Sequence, residues 1–166
     1  MSSRIGRVLG ALTSFLAALI AAGVGGCNVH ELGHLITGRI AGVPIEGVIW
    51  CTPGNGRVVF AYQEPAWVGY AGGLLAAAVL VGVHLTVIRP RLAGPNWRAA
   101  GVAILGTALS QLIVAFLEGS DPARYATLQD NTVGLVAVAV LPLVVAGIAQ
   151  ARYVRRRELP EVSRPR

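Results

Sequence analysis

The sequence predicts an α-helical polytopic membrane protein with about four transmembrane helices and a membrane-associated β-hairpin after the first. Three observations carry that expectation. Of 166 residues, 54% are hydrophobic and only 13% charged, with a mean hydropathy of +0.63, outside the range of soluble domains. Apolar runs of the roughly 20 residues needed to cross a bilayer recur along the chain. Every basic residue is arginine, and the arginines fall in loops and tails rather than in an aromatic-flanked patch. The net charge of +6 therefore reads as membrane topology and not as a nucleic-acid surface.

Taken in order, Arg4 and Arg7 precede an apolar run from residue 8 to about residue 43. That is longer than one bilayer crossing, so this helix should protrude. The basic start and Val24-Gly25-Gly26-Cys27 also resemble a lipoprotein signal, but the helix continues past Cys27 and further spans follow. Cys27 is then a small residue packed one turn before His30. With Cys51 it makes only two cysteines, too few for a disulfide framework and without paired-ligand spacing. Residues 44–52 and 57–62 are β-rich and flank Pro53-Gly54-Asn55-Gly56, which predicts a hairpin. It either connects two helices or offers a strand edge to an extended substrate.

A second span covers residues 66 to about 88, opened by Trp67 and Tyr70, with Ala71-Gly72-Gly73 for close helix approach. Arg89, Arg91 and Arg98 make a basic loop broken by Pro90 and Pro95. The third span, about 99–117, carries Ser110 and Gln111 as interhelical hydrogen-bonding groups. Glu118-Gly119-Ser120-Asp121-Pro122 ends it, and a fourth span covers about 132–150. One domain, 1–151, is expected, followed by a basic, disordered tail over 152–166.

Inside the first run lies His30-Glu31-Leu32-Gly33-His34. Residues four apart on a helix share a face, so His30 and His34 can offer two imidazoles to one metal ion, with Zn²⁺ the ion the spacing suits. Glu31 lies about 100° round the helix, where it reaches a water activated by the ion without being a ligand. In an apolar span each ionisable group costs about 2.5–3.5 kcal/mol, so three within five residues call for a compensating ion or water. With Arg7 and Arg39 at the interfaces, His30 and His34 sit about 10 and 16 Å from the bilayer centre.

Two complete spans separate His34 from Asp121, so the loop after the third span returns to the motif's side whatever the orientation. A catalytic zinc takes three protein ligands and keeps one position open. Glu118, Asp121 and Asp130, with Glu46 and Glu64 of the hairpin, are the acidic candidates. Asp121 is the choice for third ligand and Asp130 the runner-up; otherwise Asp121 caps a short helix over 122–128. His84 belongs at the opposite end of its span, roughly 20 Å or more away, as an interfacial residue. Arg4, Arg7, Arg89, Arg91, Arg98 and the six tail arginines oppose Arg39, Arg57 and Arg124, which places both termini in the cytoplasm and opens the site outward.

His30-Glu31-Leu32-Gly33-His34, followed by Thr37-Gly38-Arg39-Ile40-Ala41-Gly42-Val43 and a hairpin, resembles the site-2 protease-like intramembrane zinc metalloproteases over roughly residues 8–131. The resemblance implies zinc-dependent peptide-bond cleavage within or beside the membrane, with His30 and His34 as metal ligands and Glu31 as catalytic acid and base. It also implies an aspartate near a later span that completes the site. Gly119-Ser120-Asp121-Pro122 departs from the Asn-Pro and Asp-Gly context of better-known members and is more similar to the Ser-Asp loop of a compact, divergent branch. The orientation from arginines departs too, since well-known members hold the site nearer the cytosol.

The expected activity is that of a multi-pass enzyme of a bacterial-type cell membrane, a zinc metalloendopeptidase acting on membrane-spanning protein substrates. The substrate helix must unwind to expose its carbonyls. The alternative from another class is a catalytically inactive scaffold or chaperone that retains the metal-site sequence. A metal transporter fits less well, because Ser110, Gln111 and His84 are too few polar groups for an ion path.

Overall fold

The computed structural model describes residues 2–51, 56–121, 125, 127 and 131–158. Helix α1 (Ser2–Ile40) leads into a hairpin of β1 (Ile45–Ile49) and β2 (Arg57–Phe60). Helix α2 (Ala66–Val83) continues through a π-helical turn, His84–Ile88, and a 3-10 turn, Arg89–Arg91. Helices α3 (Pro95–Ser120) and α4 (Thr132–Glu158) follow. Among the described residues, four helices are long and apolar enough to cross a membrane.

The local chemistry explains the breaks. Gly42, at φ 71°, lets the chain reverse after α1, with Gly42 N donating to Arg39 O (3.1 Å) and Val43 N to Gly38 O (3.0 Å). This paired closure satisfies the last carbonyls and turns the chain back into β1. Pro95 opens α3 at a position where its missing N–H is not needed.

Helices α1, α2 and α3 pack on one another and α4 packs on α3. Directions follow from facing residues. Gly10 lies beside Asn96 and Gly26 beside Thr107 and Gln111, so α1 and α3 run parallel. Gly26 also faces Leu80, while Gly33 lies against Ala71 and Gly72, so α2 runs back. Gly106 faces Leu143, and Gln150 donates to the Arg98 carbonyl, so α4 opposes α3. The buried interior is built from small residues such as Ala76, Ala77, Ala103, Ala108 and Ala115. Large apolar side chains instead point outward, among them Leu9, Leu12, Leu16 and Ile20 on α1 and Phe116 on α3. Close helix contact through small residues beneath an apolar exterior is what a lipid solvent favours.

Helix α1 begins at Ser2, ahead of the apolar run. Two details differ from expectation. The tail expected to be disordered from 152 is helical to Glu158; Arg is a good helix former and Tyr153 packs against the core, while 159–166 lie outside the described residues. His84 does lie at the end of the bundle opposite the motif, but it is buried rather than interfacial.

Candidate metal centre

The motif helix brings His30, Glu31 and His34 into the bundle, with respective exposures of 6%, 5% and 9%. Their position depends on the absence of side chains opposite. A Cβ on Gly33 would lie 2.7 Å from Ala71 O and 2.8 Å from Gly72 Cα, so only glycine lets α1 and α2 approach this closely. Gly72 likewise has no room for a side chain, since a Cβ there would overlap His34 and approach His30 Cδ2 at 2.8 Å.

Each imidazole is oriented by its outer nitrogen. His34 Nδ1 lies 2.9 Å from Val68 O, and His30 Nδ1 lies 2.9 Å from Gln111 Oε1. A backbone carbonyl only accepts, so the His34 proton is on Nδ1, and the Gln111 oxygen assigns the same tautomer to His30. Both Nε2 lone pairs are then left facing inward. They are 2.9 Å apart, and Glu118 Oε2 stands 3.0 Å from His30 Nε2 and 3.5 Å from His34 Nε2. That carboxylate oxygen is buried without a hydrogen-bond partner.

Three acceptors thus converge on one point, an arrangement that a shared cation satisfies. A tetrahedral zinc with bonds of about 2.0–2.1 Å holds its donors roughly 3.3 Å apart, a value the three separations bracket. The residues therefore fit a three-ligand zinc-type donor set with a fourth direction left open to the cavity.

Glu118, not Asp121, joins the histidines. Helix α3 runs to Ser120, past the expected end, and keeps Glu118 on the face of Gln111, seven residues or two turns earlier. Asp121 is the exposed residue that ends α3, at φ −153° and ψ 78°, and its carbonyl accepts from Tyr125 N at 3.0 Å, as a cap's does. Asp130 lies outside the described residues, and Glu46 is exposed on β1. The i, i+7 spacing of Gln111 and Glu118 is a sequence signal for the ligand's face that the choice of Asp121 passed over.

Glu31 stands beside the donors and outside their set. Val58 of β2 lines the same cavity as its carboxylate. A cavity of about 360 Å³ opens there, walled by His30, Glu31, His34, Val58, Phe60 and Glu118.

The hairpin is fastened over this cavity from one side. Cys27 and Cys51 form a disulfide, where the sequence had offered only a packed small residue. Asn28 adds two hydrogen bonds to the same residue, accepting from Cys51 N at 3.0 Å and donating to Cys51 O at 3.2 Å. Cys27, Glu31 and Cys51 also bring ligand atoms within 4.8 Å of one another, but both sulfurs are engaged in the disulfide and hold no metal.

No protein-family model, curated protein or solved structure matches the chain.

Proposed function

We propose that the chain is a zinc-dependent intramembrane endopeptidase that hydrolyses peptide bonds of membrane-spanning proteins, a compact member of the site-2 protease-like group its motif resembles. The observation that carries this is the convergence of His30 Nε2, His34 Nε2 and Glu118 Oε2 on one point, with Glu31 adjacent but not among them. When bound, the ion supplies an acidified water and polarises the scissile carbonyl.

His30, His34 and Glu118 hold the ion, while Gln111 and the Val68 carbonyl hold the rings. Glu31 accepts the proton of the attacking water and returns it to the leaving amine. Strand β2 supports an extended substrate. Ala61 N donates to Pro44 O on the β1 side, so the alternation of the strand turns Val58 and Phe60 toward its outer edge. That edge borders the cavity, so a segment added to β2 lays its backbone along Glu31. A substrate helix must unwind first, because its carbonyls are otherwise engaged in backbone hydrogen bonds.

Two independent features support a site facing the outer side of a cell membrane. The arginine count places the opposite end inside, and the Cys27–Cys51 disulfide suits an oxidising compartment. The test is a quenched-fluorescence peptide carrying an unwound transmembrane sequence, presented in detergent to wild type and Glu31→Gln. Wild type cleaves it and Glu31→Gln does not, although both carry zinc; equal turnover by the variant removes the proposal.

A further inference from the structure

The end of the bundle far from the metal centre contains polar groups that the proposed reaction does not use. His84 interrupts an otherwise apolar span, is only 7% exposed, and its Nδ1 has no hydrogen-bond partner. It opens a π-helical turn, where backbone bonding is relaxed from the α-helical pattern, and such turns concentrate at functional positions. A buried imidazole in a membrane span is unfavourable unless something answers its polar nitrogens.

The surroundings identify what that something is. His84 lines a cavity of about 280 Å³ with Leu85, Arg89, Leu105, Gln150 and Tyr153. A second cavity, of about 350 Å³, lies on the other side of the same Arg89 and Tyr153 pair. Arg89 Nε donates to Tyr153 Oη at 3.1 Å and its guanidinium lies 5.5 Å from the ring centroid, which holds the cation in the wall common to both cavities. Among the described residues no carboxylate pairs with Arg89 or Arg91. Apart from His84 and Gln150, whose Nδ1 and Oε1 are both buried without a partner, the wall is apolar with Arg89 as its cation, which suits an acyl chain joined to an anionic headgroup.

We infer that this cavity, between the end of α2, the start of α3 and the end of α4, is a binding site for the phosphate headgroup of an anionic phospholipid. Arg89 supplies a charge-assisted hydrogen bond to a phosphate oxygen. His84, in its Nδ1–H tautomer, supplies a neutral donor from inside. The lipid's glycerol and chains follow the apolar wall of Leu85 and Leu105. This goes beyond the proposed peptidase activity, and it rests on the chain spanning a membrane but not on its holding zinc. An anionic phosphate also exists free in solution, and the test separates the two sources.

Full-length protein is purified in detergent and examined by native mass spectrometry after addition of phosphatidylglycerol, phosphatidylcholine or glycerol 3-phosphate. Wild type, Arg89→Gln, His84→Leu and Arg7→Gln are compared, Arg7→Gln removing the same charge at the same end of the bundle but outside the cavity. Wild type is expected to keep one phosphatidylglycerol in preference to phosphatidylcholine. Arg89→Gln should bind it about tenfold more weakly, the size of one hydrogen bond to a charged group, His84→Leu should also weaken it, and Arg7→Gln should bind as wild type. Thermal midpoints without lipid confirm that each variant is folded. Equal retention of both lipids, equal loss in Arg7→Gln, or unchanged binding in Arg89→Gln overturns the site. Saturation by glycerol 3-phosphate alone, with no preference between lipids, overturns the lipid as ligand.

Discussion

The two ends of the helical bundle handle buried polar groups in opposite ways. At the metal end the outward nitrogen of each histidine is satisfied, by Gln111 or Val68, and the remaining acceptors are aimed at one another. At the far end the helix loosens into π and 3-10 turns, and a buried histidine nitrogen stands unanswered beside an arginine. The first arrangement is complete except for a cation. The second leaves one ring nitrogen, His84 Nδ1, and one amide oxygen, Gln150 Oε1, without partners around one cavity. Clamping follows the same division, since the hairpin at the metal end is fastened by a disulfide and by Asn28.

This contrast is open to attack by substitution. The largest effect is expected at the metal end for Glu31→Gln, which should lower cleavage about 10²–10⁴-fold, the range for loss of a general acid–base, with zinc retained. A smaller decrease would mean that Glu31 is not the proton carrier. Next is the clamp. Cys27→Ser closes no loop in the unfolded hairpin and is expected to remove about 3 kcal/mol of local stability in the loop-entropy account. Hydrogen exchange over residues 45–60 should accelerate while the α2–α3 contact stays protected; uniform acceleration throughout the bundle would show that the clamp is not local.

Gln111→Leu tests whether outer partners set the donor geometry. It should weaken zinc about 10–100-fold in chelator competition, because the His30 ring loses its orienting acceptor. Unchanged affinity would free His30 from that dependence. The smallest effect belongs to Ser110→Ala, which removes the 2.9 Å hydrogen bond from Ser110 Oγ to the Val138 carbonyl between α3 and α4. About 0.6 kcal/mol is expected, since such bonds in membranes have partial replacements in the unfolded reference. A loss as large as that at the clamp would contradict the division between a fastened and a loose end.

Much of this was legible in the sequence for reasons that can be named. Span lengths and arginine punctuation report burial in lipid, so four apolar helices and the parity that returns residue 118 to the motif's side were readable. Gly72 and Gly73 were readable as a close approach, and Gln111 as an interhelical group. Less legible were features that depend on where a helix stops. The third span looked finished at Leu117, because Gly119, Asp121 and Pro122 are poor helix residues, and that turned attention from Glu118 to Asp121. In the structure three more residues of helix keep Glu118 on the Gln111 face. The cysteine pairing was hidden for another reason: a separation of 24 residues across a hairpin carries no local pattern. The helical end of α4 was hidden by its arginines, which resemble a solvated tail when only charge is counted.

The most direct measurement is the zinc content of detergent-purified protein, wild type beside His34→Ala, Glu118→Ala and Asp121→Ala. The account predicts about one zinc per chain in wild type and Asp121→Ala, and loss in His34→Ala and Glu118→Ala. Zinc retained by Glu118→Ala and lost from Asp121→Ala would contradict it.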